Sequence, residues 1–164
     1  MTAIRPALYA VWFFLTMALY GILGMPIAAL SRPGALWVMK GWCSAQRLGL
    51  RLLCGVRTEV RGLEHLPAGG CLIAMKHQST YDTLAPFTFL PDPAFTPKEE
   101  LRRAPIFGYY VQRAGMIFLD REGGAKTMRS LMTKAKAAIA ANRQVIIFPE
   151  GTRQAVGAEP DYKP

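Results

Sequence analysis

Cysteine, histidine and acidic residues are scarce in this 164-residue chain, and their scarcity limits the chemistry that the protein can perform. The three cysteines, Cys43, Cys54 and Cys71, lack the spacing of metal-binding or redox motifs, and the only histidines are His65 and His77. A zinc site is therefore not expected. An odd set of thiols, buried or facing lipid, fits a protein of a reducing compartment.

Negative charge is missing from the first third of the chain. No Asp or Glu precedes Glu59, and the stretch from Pro6 to Ser31 carries no charge of either sign. As a helix, this stretch reaches about 39 Å, which is enough to cross a bilayer core. A cleaved signal peptide has an apolar stretch of only about 7–15 residues and a small-residue cleavage site, so we expect a retained anchor over residues 7–30. Two glycines and a proline within it leave open whether the anchor spans the membrane or dips into one leaflet.

The net charge of +9 is concentrated directly after this apolar stretch. Trp and Leu residues alternate there with cations, which are Arg32, Lys40, Arg47, Arg51 and Arg57. This pattern predicts a second, amphipathic helix that lies on an anionic lipid surface. Cations next to a membrane segment favour the cytoplasmic side, so we expect an inner-membrane protein whose remaining domain faces the cytoplasm. Nucleic-acid binding is not expected, because the cations alternate with large apolar groups and no nucleic-acid motif occurs.

Beyond the basic region, strand-like and helix-like segments alternate. We therefore divide the chain into an N-terminal membrane anchor with its amphipathic helix, residues 1–55, and an α/β domain, residues 56–164. Predicted strands cover 56–61, 71–75, 94–97, 116–119 and 145–148, of which the second and last are buried, and predicted helices cover 79–90, 105–115 and 125–142. This order predicts a mostly parallel sheet flanked by helices. No closing element follows the last strand, so we expect a domain that is truncated at its C-terminus.

The first candidate site follows the predicted strand 71–75. Four residues separate His77 from Asp82, and Ser79 between them is a good N-cap for the next helix. If Asp82 sits in the first helical turn, its carboxylate can fold back onto the imidazole and leave the other ring nitrogen as a general base. Because Ser79 is expected to cap the helix and not to act as a nucleophile, the reacting hydroxyl would belong to the substrate. The alternative is a purely structural histidine.

Two further segments place anion-binding residues at strand ends. One begins at Phe148 and has the sequence Phe-Pro-Glu-Gly-Thr-Arg. Its Gly151 allows close backbone approach, Thr152 offers a hydroxyl and Arg153 offers a guanidinium fork that suits phosphate oxygens. The other predicted strand end delivers Arg121. Each has a simpler interpretation, a solvated turn in one case and a surface ion pair with the preceding aspartate in the other, but together they favour an anion site.

In this order, the three segments closely resemble the motifs of the glycerolipid acyltransferases, specifically the 1-acyl-sn-glycerol-3-phosphate (lysophosphatidic acid) acyltransferases. The first family motif, His-(four residues)-Asp, matches His77 and Asp82. The second, an arginine after a Phe-containing strand, matches Phe118 to Arg121. The third, Phe-Pro-Glu-Gly-Thr-Arg, is matched in full by the segment that ends at Arg153.

The resemblance covers about residues 56–155 and includes Lys98-Glu-Glu-Leu101, which is similar to a Lys-x-Glu-Leu segment of the family. It implies transfer of a fatty acyl group from acyl-CoA or acyl-carrier protein to the sn-2 hydroxyl of lysophosphatidate, giving phosphatidate for phospholipid synthesis. By this resemblance, the amphipathic N-terminal region would correspond to the membrane-docking region of the family. The family's fourth motif, an apolar strand with a proline beyond the third motif, is absent from this chain.

The resemblance also implies a role for each motif. His77 would be the general base, and Asp82 would orient it. The glycerol phosphate would be held by residues of the second and third motifs, which are Arg121, Glu150, Gly151, Thr152 and Arg153. No metal, cofactor or covalent intermediate is required, and the expected partners are membrane lipids and the two substrates. Two alternatives remain open, which are another lyso-lipid acceptor, such as a lyso-ornithine lipid, and a non-catalytic module that binds anionic lipid.

Overall fold

The computed structural model describes residues 4–119 and 124–162. Its α-helices are α1 (Ile4–Leu23), α2 (Met25–Leu30), α3 (Arg32–Gly49), α4 (Phe107–Arg113) and α5 (Gly124–Ala140). Its strands are β1 (Cys71–Ala74), β2 (Pro93–Phe95) and β3 (Gln144–Ile147). Short 3-10 helices cover Leu63–His65, Thr80–Thr83, Ala85–Thr88 and Glu99–Arg103, and a π-helical turn covers Leu50–Cys54. The chain forms two compact units, one of Met1–Leu66 with Arg102–Gly115 and one of Pro67–Leu101 with Met116–Pro164.

In the first unit, α1 and α3 are joined by polar contacts. The side-chain amide of Gln46, which is fully buried, donates a 2.7 Å hydrogen bond to the hydroxyl of Thr16. The Trp12 indole donates to the carbonyl oxygen of Ala45 at 3.1 Å. The short helix α2 lies between them in sequence and reverses the chain, so that α1 and α3 form a helical hairpin.

The surface of α1 carries large apolar side chains that are at least half exposed, which are Leu8, Val11, Phe14, Leu15, Leu19 and Ile22. Among the described helices, α1 is long and apolar enough to cross a membrane. A contiguous apolar surface of this kind is a membrane-interaction surface. The first unit is therefore membrane-associated.

The predicted anchor over residues 7–30 is divided in the structure. Helix α1 ends at Leu23, and α2 begins beyond Gly24 with Pro26 in its first turn. Proline lacks a backbone N–H and has a fixed φ, so it favours the start of a new helix over the middle of an old one. The second predicted helix of this region is confirmed as α3, whereas its position on a lipid surface stays a prediction. The hydroxyl of its N-cap, Ser31, accepts a hydrogen bond from the amide of Gly34 at 3.1 Å.

The second unit is built on a parallel sheet with the strand order β1–β3–β2. Residues 116–119, predicted to be a strand, run beside β2 and its continuation. The amide of Ile117 donates to the carbonyl oxygen of Phe95 at 3.0 Å, and Leu119 forms a parallel bridge with Lys98. Consecutive strands that run parallel require crossover connections, and the predicted α/β fold with a parallel sheet is confirmed.

Helix α5 packs against this sheet. One buried apolar cluster of the unit consists of Ala94, Ile117, Ala138 and Val145, and the partly buried residues packed against it include Leu131, Ala135 and Ile139. The residues from α5 recur at three- and four-residue steps, which is the spacing of one helical face. The predicted helix over 125–142 is thus confirmed, with its end two residues earlier, at Ala140.

The strand predicted over 116–119 is reduced to an isolated bridge at Leu119. Two further strand predictions differ from the structure. Residues 56–61 form no strand, and the exposed ion pair of Arg61 with Glu59, at 2.8 Å, is a feature of a solvated segment. Strand β1, predicted to be buried, alternates between half-buried and exposed residues, and Leu72 is 55% exposed. The physical reason is the same in both cases. A strand forms only where a neighbouring strand accepts its hydrogen bonds, and it is buried only where other layers cover the sheet. A local sequence pattern shows neither the neighbour nor the covering layers.

The predicted helix over 79–90 is replaced by two 3-10 helices, Thr80–Thr83 and Ala85–Thr88. Pro86 lies in the first turn of the second one. Its ring would clash with a carbonyl group of the preceding turn in a continuous α-helix, which explains the interruption. The N-cap predicted at Ser79 is confirmed.

One close backbone approach gives a test of the fold. A Cβ added to Gly70, which leads into β1, would lie only 1.9 Å from the carbonyl oxygen of Ile139 at the end of α5. We expect Gly70→Ala to lower the free energy of unfolding by about 1–3 kcal/mol, because backbone atoms have to shift. The control, Leu72→Ala, removes more atoms but at an exposed site, and we expect a smaller loss. Chemical denaturation of both variants in detergent micelles measures the difference, and an equal or larger loss for Leu72→Ala would contradict the contact.

Candidate active site

The candidate site lies where β1 and β3 end. These strands are parallel neighbours, so their carboxyl ends emerge at the same edge of the sheet, where ligands of α/β proteins collect. Beyond the strands, the amide of Met75 donates to the carbonyl oxygen of Ile147 at 3.0 Å. The amide of Gln154 then donates to the carbonyl oxygen of His77 at 2.7 Å. These bonds hold the first and third sequence motifs side by side.

His77 and Asp82 are in contact, as the sequence predicts. The imidazole Nδ1 lies 3.2 Å from Asp82 Oδ2. The same oxygen accepts hydrogen bonds from the backbone amides of Gln78 and Ser79, and the Ser79 hydroxyl donates to Asp82 Oδ1 at 3.0 Å. The Ser79 hydroxyl in turn accepts from the amide of Tyr81, which completes a capping box. Ser79 thus has the capping position that the sequence predicts.

These contacts determine the charge of the Asp82 carboxylate and the orientation of the His77 ring. Burial by itself raises the pKa of Asp82, but the amides of Ser79 and Gln78, the His77 ring and the Ser79 hydroxyl stabilise the charged form and hold the pKa below its ordinary value. An ionised carboxylate at Nδ1 selects the tautomer in which Nδ1 carries the proton. Nε2 is then the ring nitrogen with a lone pair, which is the state that a general base needs.

A stack of aromatic rings supports the imidazole, and the sequence analysis did not predict it. The His77 ring lies 4.3 Å from the ring of Phe148, with 23° between their planes. Phe148 stacks at 6.0 Å on Phe95, which stacks at 5.4 Å on Phe87. The signal available in the sequence was the phenylalanine at the start of the third motif, which directly follows β3. Its role is visible only once β1 and β3 are paired.

The third motif forms a tight turn. Gly151 has a φ of 67°, a left-handed conformation that favours glycine, and its amide donates to the carbonyl oxygen of Phe148 at 2.9 Å. Thr152 and Arg153 are exposed, whereas the side chain of Glu150 is 1% exposed and its Oε1 lies 3.9 Å from Nζ of Lys76. The turn thus presents its hydroxyl and guanidinium outward and its carboxylate inward.

The structure also adds cations that the sequence analysis did not assign to the site. Lys76 directly precedes His77, and Lys98 lies beyond the end of β2 at the same edge of the parallel sheet. Arg121, which the sequence assigns to the anion site, lies outside the described residues. Among the residues that the structure describes, no cluster of three or more His, Cys, Asp or Glu side chains is placed to hold a metal ion.

Comparisons with known proteins agree with this geometry. A model of the acyltransferase family matches residues 57–158, and the chain belongs to that family. It is similar to a 1-acyl-sn-glycerol-3-phosphate acyltransferase of Pseudomonas aeruginosa, with 32% identity over 157 residues, which are 94% of this chain and 61% of the relative. The enzyme of that name from Helicobacter pylori is 36% identical over 102 residues, or 62% of this chain and 42% of the relative.

A solved structure is similar as well. It is the crystal structure of the 1-acyl-sn-glycerophosphate (LPA) acyltransferase of Thermotoga maritima, with a TM-score of 0.73 and 25% sequence identity. The similarity covers 94% of this chain and 64% of that protein. The chain thus spans about three fifths of the length of its bacterial relative from Pseudomonas aeruginosa.

The hydrogen bonds to Asp82 give a test by titration. Because its pKa is lowered, the side-chain carboxyl carbon should titrate in NMR spectra with a midpoint below about 3.9, the ordinary aspartate value. Ser79→Ala removes one donor to the carboxylate and should raise this midpoint. A lowered folded-state pKa stabilises the fold above the unfolded pKa, and this stabilisation is lost as the pH falls through the folded value. A midpoint at or above the ordinary value would contradict the hydrogen-bonded carboxylate.

Proposed function

We propose that this protein transfers a fatty acyl group from acyl-CoA or acyl-carrier protein to the sn-2 hydroxyl of 1-acyl-glycerol-3-phosphate, forming phosphatidate. One observation carries the proposal: the His77–Asp82 pair lies at the sheet edge where the Phe-Pro-Glu-Gly-Thr-Arg turn begins. A general base beside an outward-facing guanidinium suits a substrate that has both a hydroxyl group and a phosphate. The names of the similar proteins support the same reaction.

In the proposed mechanism, Nε2 of the neutral His77 imidazole removes the proton of the sn-2 hydroxyl. The oxygen then attacks the thioester carbonyl carbon and forms the new ester bond as the carbon–sulfur bond of the donor breaks. The departing thiolate takes up the proton held on Nε2, so that the donor leaves as a free thiol and His77 is neutral again. Asp82 keeps Nδ1 protonated and stabilises the imidazolium that forms. The stacking on Phe148 holds the ring in place. The mechanism that we propose uses no metal, cofactor or covalent enzyme intermediate.

We assign the phosphate of the acceptor to the turn after β3. Arg153 would provide a bidentate contact to phosphate oxygens, Thr152 would add a hydrogen bond, and Gly151, without a side chain, would allow close approach to the backbone. Arg121 would complete this anion site, as the second motif implies. The exposure of Thr152 and Arg153 supports this assignment.

We further propose that the protein is held in the inner membrane, with its catalytic unit on the cytoplasmic side. Helix α3 is hydrogen-bonded to α1 and carries Lys40 and Arg47. If α1 crossed the bilayer, α3 would take these cations into the hydrocarbon, at a cost of about 2.5–3.5 kcal/mol for each near the centre. Insertion of the hairpin into the cytoplasmic leaflet avoids this cost and leaves the cations near anionic headgroups.

The assignment of the base predicts the effect of His77→Ala. In the full-length protein, we expect transfer of the acyl group from labelled acyl-CoA to lysophosphatidate to fall by about 10²–10⁴-fold, the usual contribution of general-base catalysis. Membrane binding should persist, because the first unit is unchanged. The matched control is His65→Ala, at a histidine whose side chain is 83% exposed, and it should have wild-type activity. Wild-type turnover by His77→Ala would refute the role of His77.

The phosphate site predicts the effect of Arg153→Ala. We expect the KM for lysophosphatidate to rise by about tenfold or more, because a charge-assisted hydrogen bond is lost. Transfer to monoacylglycerol, an acceptor without phosphate, should already be slow in the wild type, and Arg153→Ala should change its rate little. Arg129→Ala, on the outer face of α5, is the control. A panel that includes lyso-ornithine lipid tests the acceptor class, and a preference for that lipid over lysophosphatidate would contradict the proposed substrate.

A further inference from the structure

Glu150 is buried to an unusual degree for a carboxylate. Only 1% of its side chain is exposed, and within the described residues neither of its oxygens has a hydrogen-bond partner. One cation lies close, since Nζ of Lys76 is 3.9 Å from Oε1. Burying a carboxylate costs free energy that a neighbouring cation offsets in part. Among the described residues, Lys76 is therefore the cation that offsets the cost of burying Glu150.

This burial argues against contact between Glu150 and the acceptor, although the sequence places the residue in the phosphate-binding motif. A side chain with 1% exposure offers almost no surface to a lipid headgroup. Two anions at contact distance also repel each other, most strongly where water is excluded. The exposed residues after the turn, Thr152 and Arg153, can hold phosphate without either difficulty.

Lys76 connects Glu150 to the rest of the site. Its Nζ also donates a 2.7 Å hydrogen bond to the carbonyl oxygen of Ala158. The next residue, His77, accepts from the amide of Gln154 through its carbonyl oxygen, at 2.7 Å. Lys76 thus contacts both ends of segment 150–158, and His77, the residue after it, holds the middle of the segment at Gln154. Arg153 lies within the attached segment, directly before Gln154.

We propose that Lys76 and Glu150 form a positioning pair that fixes the phosphate-binding turn relative to the imidazole of His77. The inference rests on the proposed function for the identity of the bound anion. Neither residue of the pair touches the substrate. They act through Arg153 and His77, whose separation decides whether a bound glycerol phosphate presents its hydroxyl to Nε2. A misplacement of about 1 Å at such a site can reduce the rate by about 10²-fold.

The kinetic experiment compares Lys76→Met, Glu150→Gln and the double variant in the full-length protein. Lys76→Met leaves a buried carboxylate without its cation, so we expect kcat for transfer to fall by up to about 10²-fold and the KM for lysophosphatidate to rise, while the KM for acyl-CoA is unchanged. Glu150→Gln keeps the shape without the charge and should have a smaller effect. Adding Glu150→Gln to Lys76→Met should therefore restore activity to within about threefold of Glu150→Gln alone.

The controls separate positioning from other roles. Lys136→Met and Glu64→Gln, at exposed sites, should have no effect on either KM, and Lys76→Arg should retain activity because it keeps the charge. If Glu150 contacted the acceptor, Glu150→Gln would be the most damaging single change and the double variant would show no recovery. If the pair served only folding, the amount of active protein would fall while both KM values stayed constant. Either outcome would overturn the proposal.

A measurement without substrate distinguishes this inference from the proposed function. Hydrogen exchange at the amide of Gln154 should be slow in the wild type, faster in Lys76→Met and slow again in the double variant. If the wild type transfers no acyl group to lysophosphatidate but this exchange pattern holds, the proposed function fails and the positioning pair stands. Unchanged exchange in Lys76→Met would overturn the pair, whatever the activity.

Discussion

The candidate site depends on the parallel pairing of β1 with β3. Hydrogen bonds continue this pairing beyond the last strand residues, first between Met75 and Ile147 and then between His77 and Gln154. Parallel neighbours end at the same edge of a sheet, so two segments far apart in sequence become adjacent there. That edge positions the imidazole of His77, the ring of Phe148 on which it stacks, and the turn at Gly151.

The carboxylate of Asp82 has two structural roles, since it caps a helix and contacts the imidazole of His77. Its oxygens accept backbone amides at the start of a 3-10 helix, and one of them also faces the imidazole of His77. The hydrogen bonds that cap the helix therefore also keep the carboxylate ionised. Phe148 supports the ring from its face while Asp82 holds its edge. A short local segment and one long-range contact are together sufficient to immobilise the base.

The sequence predicted the features that depend on local chemistry. The apolar period of α5, the buried run of β3 and the cap at Ser79 were all visible, because each is set by neighbours within a few residues. Features that depend on tertiary partners were not predicted. The absence of a strand at 56–61, the exposure of β1 and the inward direction of Glu150 each follow from what lies beside the segment in space. The helix predicted over 79–90 is interrupted near Pro86, where a second 3-10 helix starts.

The fixed imidazole has a consequence for the order of events in turnover. With Nδ1 tied to Asp82 and one ring face stacked on Phe148, only Nε2 is placed to exchange protons with substrates. In the proposed reaction, the atom that collects the hydroxyl proton would then also return it to the departing thiolate. Both proposed substrates would have to lie within reach of this single nitrogen at the same time. Such a geometry corresponds to a ternary complex and sequential kinetics, in contrast to the double-displacement scheme of enzymes that store the acyl group on a side chain.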